Sequence, residues 1–333
     1  MIRRIRIWAC AALLAPLAAH ATPLTVYAAM GYDQAAVDAF TRATGIAVNL
    51  VHLSTGPLLA RVQAEGARPQ WDVLWFDGNL AMHQFASEHR LACGWTPQVR
   101  YSAQGRALQP SDHCYVPVGV TYTGAMLVDT ARLPAAARPH GWADLLAPAL
   151  RGKVGMDNPA ISGPTYPLVA GVLQAMGDAA GKRYFDSLKR NGLRVYPTNS
   201  VTLRALQFGQ IDVALVQSSA ALGFARGRPQ LQVLMPQPTT LLPSDLAIGA
   251  QVRGAQLKQA RRFIEFVLSP QGQRALQHGD PAADSNYVPL VAGVAPLPAA
   301  AALHAGRAVA LSPTQWGPRE GAVDSWFTTH VVR

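Results

Sequence analysis

A short apolar run, a few small polar residues and then a helical pattern follow one another repeatedly along this chain. Residues 24–28 read as a strand; a helix starting at Asp33 puts Val37 and Phe40 on one face, and Gly45 ends it. Residues 46–53 form a second strand, followed by Ser54-Thr55-Gly56, Pro57 near a first helical position and the helix LLARVQAEG. Residues 72–76 make a third strand, followed by Asp77-Gly78-Asn79 and another helix. After an interruption the unit returns three times: 153–156 with Ser162-Gly163-Pro164-Thr165, 194–196 with Thr198-Asn199-Ser200, and 212–216 with Gln217-Ser218-Ser219. Such alternation predicts an α/β fold built on open, largely parallel sheets.

The interruption, PVGVTYTGAMLV within residues 116–128, is one long extended stretch that crosses from one lobe to a second. Strands at 231–234 and 246–248 lead the chain back, and AQLKQARRFIEFVL is an amphipathic helix with Leu257, Ala260, Phe263, Ile264 and Val267 on one face. From Val291 on, the chain is rich in Ala, Pro and Gly and shows no clear pattern. The expected division is residues 22–120 as a first lobe with 240–333 returning to it, and 121–239 as a second. A chain of 333 residues, 50% apolar, can bury a core in each.

The N-terminus has the build of a secretory signal peptide over residues 1–21: MIRRIR, a short apolar run from Ile7, and an A-x-A cleavage site at Ala19-His20-Ala21. The run is too short to span a bilayer, which takes about 20 residues. Its removal takes Arg3, Arg4 and Arg6 with it, so the formal charge falls from +10 to +7. The remaining basic residues are scattered, the densest set being Lys258, Arg261 and Arg262 on one helix, and they form no stripe for a nucleic-acid backbone. Cys93 and Cys114 remain after processing, in a compartment where cysteines are oxidised. They predict a disulfide, with two buried free thiols as the alternative.

Ligands of open α/β sheets sit at the carboxyl ends of strands, and helix N-termini attract anions through unpaired N–H groups. The clusters at Ser54, Ser162, Asn199 and Ser218 meet both conditions. Each alone is also a good helix cap, but four of them split across two lobes point to a shared cleft.

Six stretches, in order, resemble periplasmic solute-binding proteins of ABC importers, in the group that includes ferric-iron, phosphonate, sugar-phosphate, polyamine and thiamine binders. They are LTVYAAMGYDQAAVDAFTRATGIAVNLV, STGPLLARVQAEGARPQWDVLW, VPVGVTYTGAMLVD, WADLLAPALRGKVGMDNPAISGPTY, GQIDVALVQSS and ARRFIEFVLSPQGQRAL. The resemblance implies a two-lobed, type II-like periplasmic binding protein with crossing strands as hinge and a ligand cleft between the lobes. It implies a small-molecule ligand and a membrane permease as partners, and a periplasmic location. The positions it carries over to the cleft are Met30, Ser54, Thr55, Gly56, Asp77, Gly78, Thr121, Tyr122, Ser162, Gly163, Thr165, Tyr166, Asn199, Ser200, Gln217 and Ser218. Asp77 is equally readable as a helix cap and Tyr166 as core. Where ferric-iron members carry an adjacent tyrosine pair this chain has Gln217-Ser218-Ser219, which disfavours iron and leaves a small phosphonate or phosphate ester as the expected solute.

Competing classes find less in the sequence. It contains no G-x-S-x-G, H-E-x-x-H, S-x-x-K or P-loop motif, and its 9 histidines are dispersed. The expectation is a binding protein without catalytic residues, cofactor, metal site or nucleic-acid partner, and a monomer by default. The alternatives are a ferric-iron receptor of the same family, a ligand sensor docking on a membrane kinase and, last, a secreted hydrolase.

Overall fold

The computed structural model describes residues 22–303, 306 and 308–333; the leader expected over residues 1–21 lies outside them. The first sheet opens with three parallel strands, and a helix follows each: β1 (Leu24–Ala28), α1 (Asp33–Thr44), β2 (Val48–His52), α2 (Thr55–Glu65), β3 (Val73–Asp77) and α3 (Asn79–Ser87). All five residues of β3 are buried. A strand covered on both faces reads as a continuous apolar run, which is what VLWF is. Alternate side chains serve two cores: Val26 and Trp75 pack with Phe40 and Phe263 on one face, Tyr27 and Leu74 with Leu58 and Phe85 on the other.

After α4 (Ala103–Leu108) the chain runs along β4 (Val116–Thr123), turns at Gly124 and enters β5 (Ala125–Asp129) in a second sheet. Gly124 has φ +70°, and a Cβ there would press on the Trp142 ring, so the crossing demands glycine on both counts. The second sheet is completed by β6 (Val154–Asp157), α5 (Thr165–Met176), α6 (Asp178–Arg190), β7 (Arg194–Tyr196), α7 (Asn199–Gln207), β8 (Val213–Val216), α8 (Ser218–Ala225) and β9 (Leu231–Leu234). Strands β7, β6 and β8 are parallel, and β5 and β9 complete the order β7-β6-β8-β5-β9.

The chain returns through β10 (Thr239–Ile248), which lies antiparallel between β3 and β4. Then come α9 (Gly254–Val267), α10 (Pro270–Gly279), β11 (Val288–Pro289), α11 (Pro298–Ala301), β12 (Ala308–Val309), α12 (Pro313–Trp316) and α13 (Glu320–Phe327). Two strands therefore cross between the sheets, at Gly124 and over residues 235–238, and a two-lobed α/β protein results. Cys93 and Cys114 are joined by a disulfide. No helix among the described residues is long and apolar enough to cross a membrane.

The end of the chain departs from the expected return of 240–333 to the first lobe. Leu311, Trp316, Val323, Phe327 and Val331 belong to the second lobe's core, and Leu80 of α3 reaches across to join them. Val323, Phe327 and Val331 are spaced four apart, and the stripe they make is buried with Tyr184 and Phe185 of α6.

Candidate functional site

Between the lobes lies a cleft of about 590 Å³. The first lobe contributes the junctions after β1, β2 and β3, with Gly31, His52, Ser54, Thr55 and Asp77 on its wall; the second contributes Ser162, Gly163, Asn199, Ser200 and Gln217 from the junctions after β6, β7 and β8. The second wall is tied together from behind. Asp157, at the end of β6, accepts from Ser162 Oγ (3.0 Å) and from Thr202 Oγ1 in the first turn of α7, so one buried carboxyl fixes two cleft loops. Burial pushes Asp157 up to about 7, against the pull of its two hydroxyl donors.

Charge in the cleft is divided between the walls. On the second-lobe side Arg204 stands one helical turn beyond Ser200, exposed, with no ion pair among the described residues. On the first-lobe side are three acids: Asp77, Asp280 and Asp284. Asp284 accepts from the Gly31 backbone N–H (2.7 Å) and from Gln217 Nε2 (3.3 Å), and its own N–H donates to Asp280 Oδ2 (3.1 Å). Burial pushes Asp284 up to about 6, opposed by the Gly31 hydrogen bond. Asp77 is raised well above the usual carboxylate range by burial first and then by Asp284 and Asp245, with Gln217 opposing. Like charges held close in a dry place share their protons, so Asp77 and Asp284 titrate as a pair. At the rim His52 Nδ1 lies 2.7 Å from Asp33 Oδ2, and that hydrogen bond raises the imidazole above its ordinary value.

Of the sixteen positions carried over from the sequence, Ser54, Thr55, Asp77, Ser162, Gly163, Asn199, Ser200 and Gln217 line this cleft. The other eight lie elsewhere. Met30 is buried in the first lobe's core. Gly56 donates its N–H to Ile161 O across the lobes, and Gly78 donates to Pro243 O. Thr121 faces Leu242 O, while Ser218 spends its hydroxyl on the Tyr122 N–H (3.0 Å). Thr165 is buried in the first turn of α5, and Tyr166 is core, its hydroxyl donating to Trp316 O. Sequence reasoning missed His52, Arg204, Phe224, Asp280 and Asp284. The i, i+4 spacing of Ser200 and Arg204 would have found the arginine; Asp280 and Asp284 sit after a helix, where a rule about strand ends does not look. Among the described residues, no group of three or more His, Cys, Asp or Glu is arranged to hold a metal ion.

A two-lobed α/β fold with a polar interlobe cleft is the architecture of a solute receptor, and comparison with known proteins agrees. The family model for bacterial extracellular solute-binding proteins matches residues 35–307, and the chain belongs to that family. It is 28% identical over 284 residues to the major ferric iron-binding protein of Neisseria gonorrhoeae, covering 80% of this chain and 82% of the relative. Identity to a putative 2-aminoethylphosphonate-binding periplasmic protein of Salmonella typhimurium (strain LT2) is 26% over 245 residues, 72% of this chain and 70% of that one. The fold superposes with a TM-score of 0.78 on the periplasmic binding protein AfuA of Actinobacillus pleuropneumoniae, solved with fructose-6-phosphate, at 18% identity over 93% and 98% of the two chains.

Proposed function

We propose that this chain is the periplasmic receptor of an ABC importer and that it captures a small zwitterion: a phosphonate or phosphate ester held by the second lobe, with a cationic end held by the first. One observation carries the reading, the opposite charge of the two cleft walls. Arg204 and the start of α7 at Asn199 suit an anion, whereas the carboxyl groups of Asp280 and Asp284 repel one and suit an ammonium. A solute carrying both charges matches both walls, and 2-aminoethylphosphonate, named for the Salmonella relative, has that chemistry. Among the described residues no tyrosine lines the cleft, which gives a ferric ion none of the phenolate ligands that a hard cation favours. The site's donors and acceptors hold a solute without bond making, and the closed receptor would then be presented to a membrane permease.

The test is a thermal-shift series on the mature protein with 2-aminoethylphosphonate, ethylphosphonate, ethylamine, fructose-6-phosphate, spermidine and ferric citrate. A ligand at 100 times its Kd adds about 2.7 kcal/mol of stability. The aminophosphonate should raise Tm more than either of its halves. A response to spermidine or to ferric citrate alone would sink the zwitterion reading.

A further inference from the structure

At three of the glycines where the lobes touch, Gly56, Gly163 and Gly223, the three atoms nearest to an added Cβ belong to the other lobe. A Cβ on Gly56, in the first turn of α2, would come closer than 3.0 Å to the Ala160 carbonyl oxygen. One on Gly163 would meet the Thr55 side chain just as closely, and one on Gly223, in α8, would meet the carbonyl of Ala282. Real Cβ atoms do not approach so near. None of the three glycines has a positive φ, so the backbone of its own lobe would accept alanine without strain.

These contacts sit on both flanks of the cleft. On one, the Gly56 N–H donates to Ile161 O across the seam (3.1 Å). On the other, Ala283, next to Ala282, packs against the second-lobe cluster that includes Phe224. The segment bearing Ala282 is itself anchored to the first lobe, through Asp284 to Gly31 and through Ser285 to Leu276 O.

We infer that Gly56, Gly163 and Gly223 form a closure seam, positions whose lack of a side chain lets the two lobes reach backbone contact on both flanks and seal the cleft. The inference rests on the two-lobed geometry and on no particular solute. A methyl group at the seam leaves each lobe intact and holds the pair apart.

Spin labels on E88C in the first lobe and R190C in the second, both exposed positions, read the interlobe distance by double electron–electron resonance. The mature protein should populate the short distance of the closed form, ligand-free or with 2-aminoethylphosphonate as probe. G56A and G223A should lose that population at least tenfold in both conditions, with melting temperatures of the ligand-free protein unchanged. G321A, at an exposed glycine with nothing within 4 Å of an added Cβ, should behave as the parent. Unaltered distances in G56A and G223A, a parent that never reaches the short distance, or seam variants that fail to fold would each overturn the inference. If the probe binds nothing, the zwitterion reading falls while the ligand-free distances still decide the seam.

Discussion

The two walls of the cleft are made in the same way and end up with opposite chemistry. Each is a set of strand-to-helix junctions, so each presents hydroxyls, amides and free N–H groups. The second wall adds Arg204 from one turn into α7. The first adds Asp280 and Asp284, and these come from the segment that follows α10 and folds back against Gly31. The junctions make the cleft polar, and elements outside them set its charge. A chain of formal charge +10 can therefore have an acidic wall in its cleft.

The sharpest way to break this division is to reverse the charge of one wall. R204E should weaken 2-aminoethylphosphonate about a hundredfold by calorimetry, since charge-assisted hydrogen bonds contribute roughly 1.5 to 3 kcal/mol and the reversal adds repulsion. D284N should cost about tenfold for the same probe and should, if anything, strengthen ethylphosphonate, which has no cationic end and is freed from a repelling carboxylate. Equal losses for both probes in D284N would show that the first wall does not read charge.

Proton uptake offers a smaller, graded test. Asp284 is raised to about 6, so it is largely neutral at pH 5 and ionised at pH 7.5. A cationic end gains its partner as pH rises through that value, and 2-aminoethylphosphonate should bind roughly tenfold more tightly at pH 7.5, near the one-unit scale of 1.36 kcal/mol. Ethylphosphonate should move the other way, because a newly ionised acid repels it. D284N should flatten the first trend. A pH-independent affinity in the parent protein would refute the role given to the Asp77–Asp284 pair.

Much of the architecture was legible because it rests on local chemistry. Buried strands such as VLWF, the caps around them and Gly45 at a helix end need only neighbouring residues to be read. The cleft was legible by half for the same reason: junction residues announce themselves. What stayed hidden depends on distant folding. Asp284 reaches the site because residues 276–287 are pinned against α1 and Gly31, and α13 joins the second lobe although its sequence follows first-lobe strands. Ser218 looked like a ligand group, yet its hydroxyl is spent on the Tyr122 backbone N–H at the crossing. Sequence shows that a polar group is available and not which partner will use it.

That distinction separates two serines that look alike. Ser54 precedes α2 on the cleft wall and its side chain makes no capping hydrogen bond, so its hydroxyl is free for a solute. S54A should weaken 2-aminoethylphosphonate by about 1 kcal/mol, roughly fivefold, with Tm unchanged. Ser162 also lines the cleft, but its hydroxyl donates to buried Asp157. S162A should leave affinity almost untouched and lower stability instead. The pH dependence gives the sign. Asp157 is raised to about 7 by burial, so its contribution to stability is complete below the ordinary carboxyl value and is lost as pH rises through about 7. The Ser162 hydrogen bond favours the charged form, and removing it raises Asp157 further and makes ionisation at high pH more costly. The fall in Tm from pH 5 to pH 8.5 should therefore be steeper in S162A than in the parent, and parallel curves would show that Asp157 does not depend on this hydroxyl.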